Sequence, residues 1–450
     1  MTRLFGTDGV RGIANKELTP DLAFRLGFAG AKVLAGEKAY KPVILVGTDT
    51  RISCGMLESA LVAGITSAGA DAFLAGVVPT PGIAYLTQKY QCDAGVMISA
   101  SHNSYEYNGI KFFASTGYKL PDEVEDEIEA MINSYTEDMI RPIGKQIGHC
   151  INKPNAARDY AEHIKRHMSV DLTGIKIAVD CANGASYHIA PGILSDLGAE
   201  VIAIGIEPDG ENINLNCGST HMKRLEQTVR REGCDIGIAF DGDADRMLAV
   251  DENGKYIDGD GIIAIIAKGM QDRGILRDDK ICVTVMSNLG LDIFAEEAGI
   301  TLAKTQVGDR YVLEEMLKSG ISIGGEQSGH IILLDHTTTG DGILSALALL
   351  KTLNHDNKRL SEASSIMKPL PQVLKNAKIS NERKKAAMQD EDILNVIAEE
   401  EKKLNKKGRI LVRPSGTEPI IRVMIEGEDI QQITKMAKRI VELLNSRYGI

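Results

Sequence analysis

The sequence predicts an α/β fold in which three α/β segments of comparable size precede a smaller α+β domain. Three observations carry this. Short apolar runs recur, each closing on Gly, Asp or Asn, at 42–49 (PVILVGTD), 176–184 (KIAVDCANG), 235–243 (DIGIAFDGD) and 281–288 (ICVTVMSN). Segments of helical length and spacing lie between them, such as 57–69 (LESALVAGITSAG) and 157–168 (ARDYAEHIKRHM). Near 366–376 the pattern changes, with Met367, Pro369 and Pro371 among polar residues. Apolar runs buried on both faces and joined through helices mark parallel strands in βαβ units. Such sheets gather ligand-binding groups at the carboxyl ends of their strands.

The elements follow in order. The glycine-dense stretch 5–12 (FGTDGVRG) places Arg11 to reach an anion. The 42–49 run is a strand and 57–69 a helix. The apolar VMIS at 96–99 delivers Ser101 into a loop, and Lys111 follows in a second short strand within NGIKFF. Softer breaks near 150–156 and 252–260 separate apolar blocks. GDGIIA at 259–264 fits a loose dinucleotide-binding pattern, but it follows the polar KYID and is read as a helix start. At the end, RILVRPSGTEPIIRVMIEG forms two strands around a loop, and a closing helix starts near Asp429. The expected domains are 1–152, 153–253, 254–366 and 372–450.

With 450 residues, 43% hydrophobic and 25% charged, the composition excludes disordered and fibrous classes. The 45 glycines fit many loops whose backbone approaches a ligand closely. A net charge of −11 argues against general affinity for nucleic acid or an anionic membrane, so an anionic ligand must be met by local basic groups. Seven scattered cysteines without a C-x-x-C pair argue against a disulfide framework or a structural zinc site. The N-terminal residues lack a signal-peptide pattern and no apolar run reaches membrane length, so the cytoplasm is the expected compartment.

Four loops carry chemistry. DGDADR at 241–246 follows a buried strand and sets Asp241, Asp243 and Asp245 at i, i+2 and i+4, with Arg246 ready for a phosphate. Three such carboxylates can point at one hard cation, and Mg²⁺ suits few carboxylates plus phosphate oxygen and water. An EF-hand is excluded because Arg246 stands where the turn needs Gly and both flanks are strand-like; a solvated acidic turn is the plain alternative. Ser101, beside His102 and Asn103, can act as nucleophile or phosphoryl carrier if something activates it. GGEQSGH at 324–330 offers Glu326 and Ser328 as acceptor and donor for sugar hydroxyls, or is a tight turn around His330. RPSGTEP at 413–419, with Arg422 behind it, assembles Arg413, Ser415, Gly416 and Thr417 as a phosphate-binding set, or is a polar hairpin loop. Asp309 and Arg310, in VGDRYV, are expected in a loop before a helix, most simply as a surface ion pair.

Taken in order, FGTDGVRG, ISASHN with NGIKFF, DGDADR, GGEQSGH and RPSGTEP resemble the α-D-phosphohexomutase superfamily across essentially the whole chain. The serine in ISASHN, the NCGSTH stretch at 216–221 and VGDRYV resemble most its amino-sugar branch. Ser104 replaces a usual proline and Thr48 a frequent arginine; neither puts the chemistry in doubt. The resemblance implies three similar mixed α/β sandwich domains and a smaller α+β C-terminal domain around a central cleft. It implies an isomerase acting on glucosamine 6-phosphate through a 1,6-bisphosphate, with glucose or mannose phosphates as the alternative substrates. Ser101 is implied as a phosphoserine that holds one Mg²⁺ per subunit with Asp241, Asp243 and Asp245. Arg11 and Arg246 are implied to neutralise the transferred group. Arg413, Ser415, Gly416, Thr417 and Arg422 would hold the other phosphate, and Glu326, Ser328 and His330 the sugar. Lys111 is the expected general base or acid, its pKa lowered toward neutrality by neighbouring cations and burial, with His102 and His330 as rivals. Glucosamine or glucose 1,6-bisphosphate is the implied activator and a homodimer the favoured assembly. A non-catalytic phosphosugar-binding protein is disfavoured because Ser101 and all three aspartates are present.

Overall fold

The computed structural model describes residues 3–6, 8–36, 40–136, 139–405, 407–415 and 418–450. The chain forms two compact units, one of residues 1–286 and 300–366, the other of 287–299 and 367–450.

The larger unit holds three mixed sheets. The first runs Val10–Ile13, Tyr107–Ala114, Ala94–Ile98, Val43–Thr48, Asp71–Val77 and Cys150–Asn152; the second Tyr256–Ile257, Met247–Asp251, Ile236–Phe240, Lys176–Asp180 and Glu200–Ile204; the third Thr301–Thr305, Lys280–Thr284, Ile323–Gly325 and Ile331–Leu333. Parallel pairs dominate their centres, as the apolar runs predict. One feature repeats in all three. A strand of the parallel set enters a loop and returns as its antiparallel neighbour: Ala94–Ile98 with Tyr107–Ala114, Ile236–Phe240 with Met247–Asp251, Ile323–Gly325 with Ile331–Leu333. The loops so presented hold Ser101, the three aspartates, and Glu326 with His330. The candidate loops of this unit are therefore hairpin connections.

Tyr256–Ile257 completes the second sheet, beyond the boundary expected at 253. Residues 287–299, expected with the third segment, cluster with the terminal unit. The reason is polar: buried Glu426 accepts from Leu289 N at 3.0 Å and from Arg409 Nε at 2.7 Å, and Asn288 Nδ2 donates to Leu370 O at 3.0 Å. GDGIIA does open a helix, Gly259–Asp272, with Asp258 Oδ1 accepting from Gly261 N.

The terminal unit adds a strand, Gln372–Lys378, to the two that the sequence marks, Gly408–Pro414 and Ile420–Gly427, in an antiparallel sheet with Ile420–Gly427 at its centre. Helices Asn381–Gln389, Glu391–Lys403 and Ile430–Tyr448 pack around it. Among the described residues no helix is long and apolar enough to cross a membrane.

Helices Pro20–Ala35 and Cys54–Ser67 meet backbone to backbone: a Cβ on Gly64 would lie 2.1 Å from Phe24 O. Gly64→Ala is therefore expected to destabilise this unit by about 1–3 kcal/mol, the scale of overpacking a core. A lowered urea midpoint at unchanged slope would show it; an unchanged midpoint would mean that the helices separate freely.

Candidate active site

The serine loop is held from below. Ser101 has φ of +53°, a left-handed conformation that a non-glycine residue adopts only when its surroundings enforce it. Its N–H donates to Ser99 Oγ at 2.9 Å, and its carbonyl accepts from Arg51 Nη2 and Asn214 Nδ2, each at 2.9 Å. The result aims Ser101 Oγ at Asp241 Oδ2, 2.6 Å away.

Arg51 is one residue that sequence reasoning missed. Its guanidinium donates to the carbonyls of Ser101, Asn103, Ser104 and Tyr107, while Nε pairs with Asp49 at 2.8 Å. Asp49 also accepts from Ser99 Oγ at 2.6 Å. Both side chains of the pair are fully buried. The signal was the Asp-x-Arg that closes the strand Val43–Thr48, but nothing in that spacing says which carbonyls the arginine will reach. Lysine has one compact ammonium in place of a five-donor fork, so Arg51→Lys is expected to fold and lose roughly 10- to 100-fold in kcat, the scale of a misplaced reacting group. Steady-state kinetics at saturating metal checks this, and an unchanged kcat would remove Arg51 from any positioning role.

The three aspartates converge. One carboxylate oxygen from each of Asp241, Asp243 and Asp245 lies within 4.8 Å of the others, and all three residues are buried. Close approach demands Gly242, where a Cβ would stand 2.5 Å from Ser101 O. Asp243 Oδ1 and Asp245 Oδ1 are buried without hydrogen-bond partners, which fits a hard cation shared with Asp241. Burial, then Asp245 and Asp243, hold the Asp241 carboxyl well above its usual range.

Cations surround the aspartates. Lys111 Nζ lies 2.8 Å from Asp243 Oδ2, 3.2 Å from Asp8 and 3.9 Å from Asp245. Arg11 pairs with Asp8, and Arg246 Nε sits 3.9 Å from Asp245 Oδ1. The expected lowering of the Lys111 pKa is overturned here. Burial depresses it, but Asp243, Asp8 and Asp245 outweigh burial and raise it, so Lys111 stands as an ammonium in this arrangement. His102, whose Nδ1 is 3.5 Å from Ser101 Oγ, is lowered to about 4 by burial and by Arg246 and Arg11, and is neutral near pH 7.

The loop 326–330 joins the same unit. Met247 N donates to Gly329 O at 3.0 Å, and Arg246 and His330 form an antiparallel bridge, so the aspartate loop and this loop are zipped together. Glu326 Oε1 accepts from Gly308 N at 3.1 Å, Ser328 Oγ is buried without a partner, and His330 Nε2 lies 3.6 Å from Asp309 Oδ2. Asp309 and Arg310 open the helix Asp309–Ser319 and are not a mutual surface pair. Asp309 instead takes Lys119 Nζ at 2.5 Å, and Lys119 also reaches Asp8 at 2.8 Å; Arg310 pairs with Glu314 and Asp122. Two acids far apart in sequence compete for one lysine, which motif spacing cannot reveal.

In the terminal unit, Arg413 and Arg422 are direct cross-strand partners. Arg422 pairs with Glu418 at 2.5 Å, and Ser415 Oγ accepts from Glu418 N at 3.2 Å. Lys384, buried and unforeseen, donates to Ser415 O and Glu418 O. Gly416 and Thr417 lie outside the described residues.

Family models for phosphoglucomutase/phosphomannomutase match in order: alpha/beta/alpha domain I at 2–139, domain II at 158–254, domain III at 258–370 and the C-terminal domain at 374–443. A protein of Ruminiclostridium cellulolyticum named phosphoglucosamine mutase is 58% identical over 447 residues, covering 99% of this chain and all of that one. Another of that name from Acetivibrio thermocellus is 55% identical over 449 residues, spanning both chains completely. Among solved structures, a phosphoglucomutase/phosphomannomutase family protein from Burkholderia thailandensis superposes with a TM-score of 0.80 at 21% identity, over 100% of this chain and 99% of that one. An Aspergillus fumigatus N-acetylphosphoglucosamine mutase in complex with GlcNAc-6P and magnesium does so at 0.68 and 17%, over 98% and 95%.

Proposed function

The chain belongs to the phosphoglucomutase/phosphomannomutase family, and from this premise we propose that it interconverts glucosamine 6-phosphate and glucosamine 1-phosphate as an isomerase. The observation that carries the reading is Ser101 Oγ held 2.6 Å from Asp241 in a three-aspartate cluster, in a chain whose full-length relatives are named for that reaction.

Phosphoryl transfer needs charge neutralisation and alignment more than covalent help. Asp241, Asp243 and Asp245 would hold Mg²⁺, which when bound neutralises phosphoryl charge and offsets the aspartate charges that keep Lys111 protonated. Ser101 carries the phosphoryl group, handing it to the sugar 1-hydroxyl and taking it back from the 6-position after the bisphosphate turns around. Arg11 and Arg246 balance its charge. Lys111 and His102 are the groups placed to exchange the proton of the attacking hydroxyl. Glu326, Ser328 and His330 read the sugar, and Arg413, Ser415, Thr417 and Arg422 hold the phosphate that does not react. A 1,6-bisphosphate of glucosamine or glucose primes Ser101. The assembly we propose is a homodimer working in the cytoplasm.

The test is ³¹P NMR of the protein with Mg²⁺, a trace of hexose 1,6-bisphosphate, and the 6-phosphate of glucosamine, glucose or mannose in separate tubes. A 1-phosphate signal growing fastest from the amino sugar is the expected result. Faster glucose or mannose conversion would move the substrate assignment while leaving the reaction, and no isomer in any tube would overturn both.

A further inference from the structure

A cavity lies away from these loops. It measures about 220 Å³ and its walls include Met168, Ile266, Met270 and Leu333. Three polar side chains line it as well: Arg273, Ser322 and His336. Each of them keeps a buried atom without a hydrogen-bond partner, namely Arg273 Nη1, Ser322 Oγ and His336 Nδ1. Ser322 is only 1% exposed. An unpaired buried polar group is costly, and all three belong to residues that line this one cavity, so an acceptor bound there would relieve them.

The charges define that acceptor. Arg273 and Lys351 line the cavity as cations, and Asp335, the acid beside them, is engaged by Arg277. Burial lowers His336 below its ordinary value, so its imidazole is neutral near pH 7 and can donate from Nδ1. A guanidinium N–H, a hydroxyl and an imidazole N–H match the two oxygens of a carboxylate. The remaining walls, Met168, Ile266, Met270 and Leu333 among them, suit an apolar chain attached to that anionic group. The volume is below the 300–1,000 Å³ typical of drug-sized ligands, which restricts the occupant to a small one.

We propose that this cavity binds a small carboxylate carrying a short apolar chain. It is separate from the reaction centre: Ser322 precedes the strand Ile323–Gly325 while Glu326 follows it, and Leu333 ends the strand Ile331–Leu333 while His330 precedes it. The ligand site and the sugar-reading loop therefore occupy opposite ends of one two-strand pair. The proposal does not rest on which sugar phosphate is the substrate.

The experiment titrates the full chain, with its methionine methyls ¹³C-labelled, with butyrate, 3-methylbutanoate and hexanoate. Butyramide and inorganic phosphate serve as controls. Saturable shifts of the Met168 and Met270 methyl signals with the carboxylates, absent with the amide, are expected. Affinity should fall at least tenfold in Arg273→Met and in Ser322→Ala, a milder change that keeps the fold testable should the first variant unfold. Equal binding of carboxylate and amide, shifts driven by phosphate alone, or affinities unchanged in whichever variants fold would each overturn the proposal.

Discussion

Ser101→Ala is expected to leave a folded protein with mutase activity reduced by about 10³-fold or more, the scale of losing a group that itself reacts. The side chain contributes a single internal hydrogen bond to a carboxylate, Oγ to Asp241, so the loss of stability should stay near 1–3 kcal/mol. The backbone contacts of the loop, from Arg51, Asn214 and Ser99, do not involve that hydroxyl. Activity, thermal unfolding and incorporation of phosphate from a labelled hexose bisphosphate separate the outcomes. Retained turnover in this variant would refute the phosphoserine mechanism, whereas loss of both turnover and fold would say only that the loop needs the hydroxyl.

Asp241→Asn is expected to split stability from function. The side chain is fully buried and faces two further carboxylates, and with no cation bound their mutual repulsion opposes folding. An isosteric amide removes one charge, keeps an oxygen to accept from Arg246 N and can donate its NH₂ to Ser101 Oγ, so the metal-free variant should unfold at the same or a higher temperature than the parent. Saturating Mg²⁺ at 100 times its Kd stabilises a binding protein by about 2.7 kcal/mol, and that increment should vanish in the variant. Activity should fall by roughly 10²- to 10³-fold, as when one stabilising group is removed from a developing charge. Thermal unfolding with EDTA and with Mg²⁺, beside activity, decides the matter. A parent protein that Mg²⁺ does not stabilise would take the metal site away from these aspartates.

The two variants also mark how much could be read before folding. DGDADR and ISASHN are local: three carboxylates alternating along a loop after a buried strand, and a serine delivered by another, are visible as strings because the chain itself sets their spacing. The strands were legible for the same reason, since runs of Val, Ile and Leu closed by Gly or Asp need no distant partner to be recognised. Asn288 was not legible in this way. Its helix reads as part of the third α/β segment, yet its hydrogen bonds run to Leu370, and a bond between residues so far apart leaves no periodic trace.

By itself, then, the sequence determined the α/β class, the order of the functional loops and the chemical types they carry, because those depend on neighbours along the chain. Tertiary structure alone decided what those types do electrically. Lys111 is raised by Asp243 from one loop and Asp8 from another; His102 is lowered by burial and by Arg246 and Arg11; Arg51 grips four carbonyls that follow it by some fifty residues. Charge, proton affinity and aim are sums over through-space distances, and those distances exist only once the sheets bring their loops together.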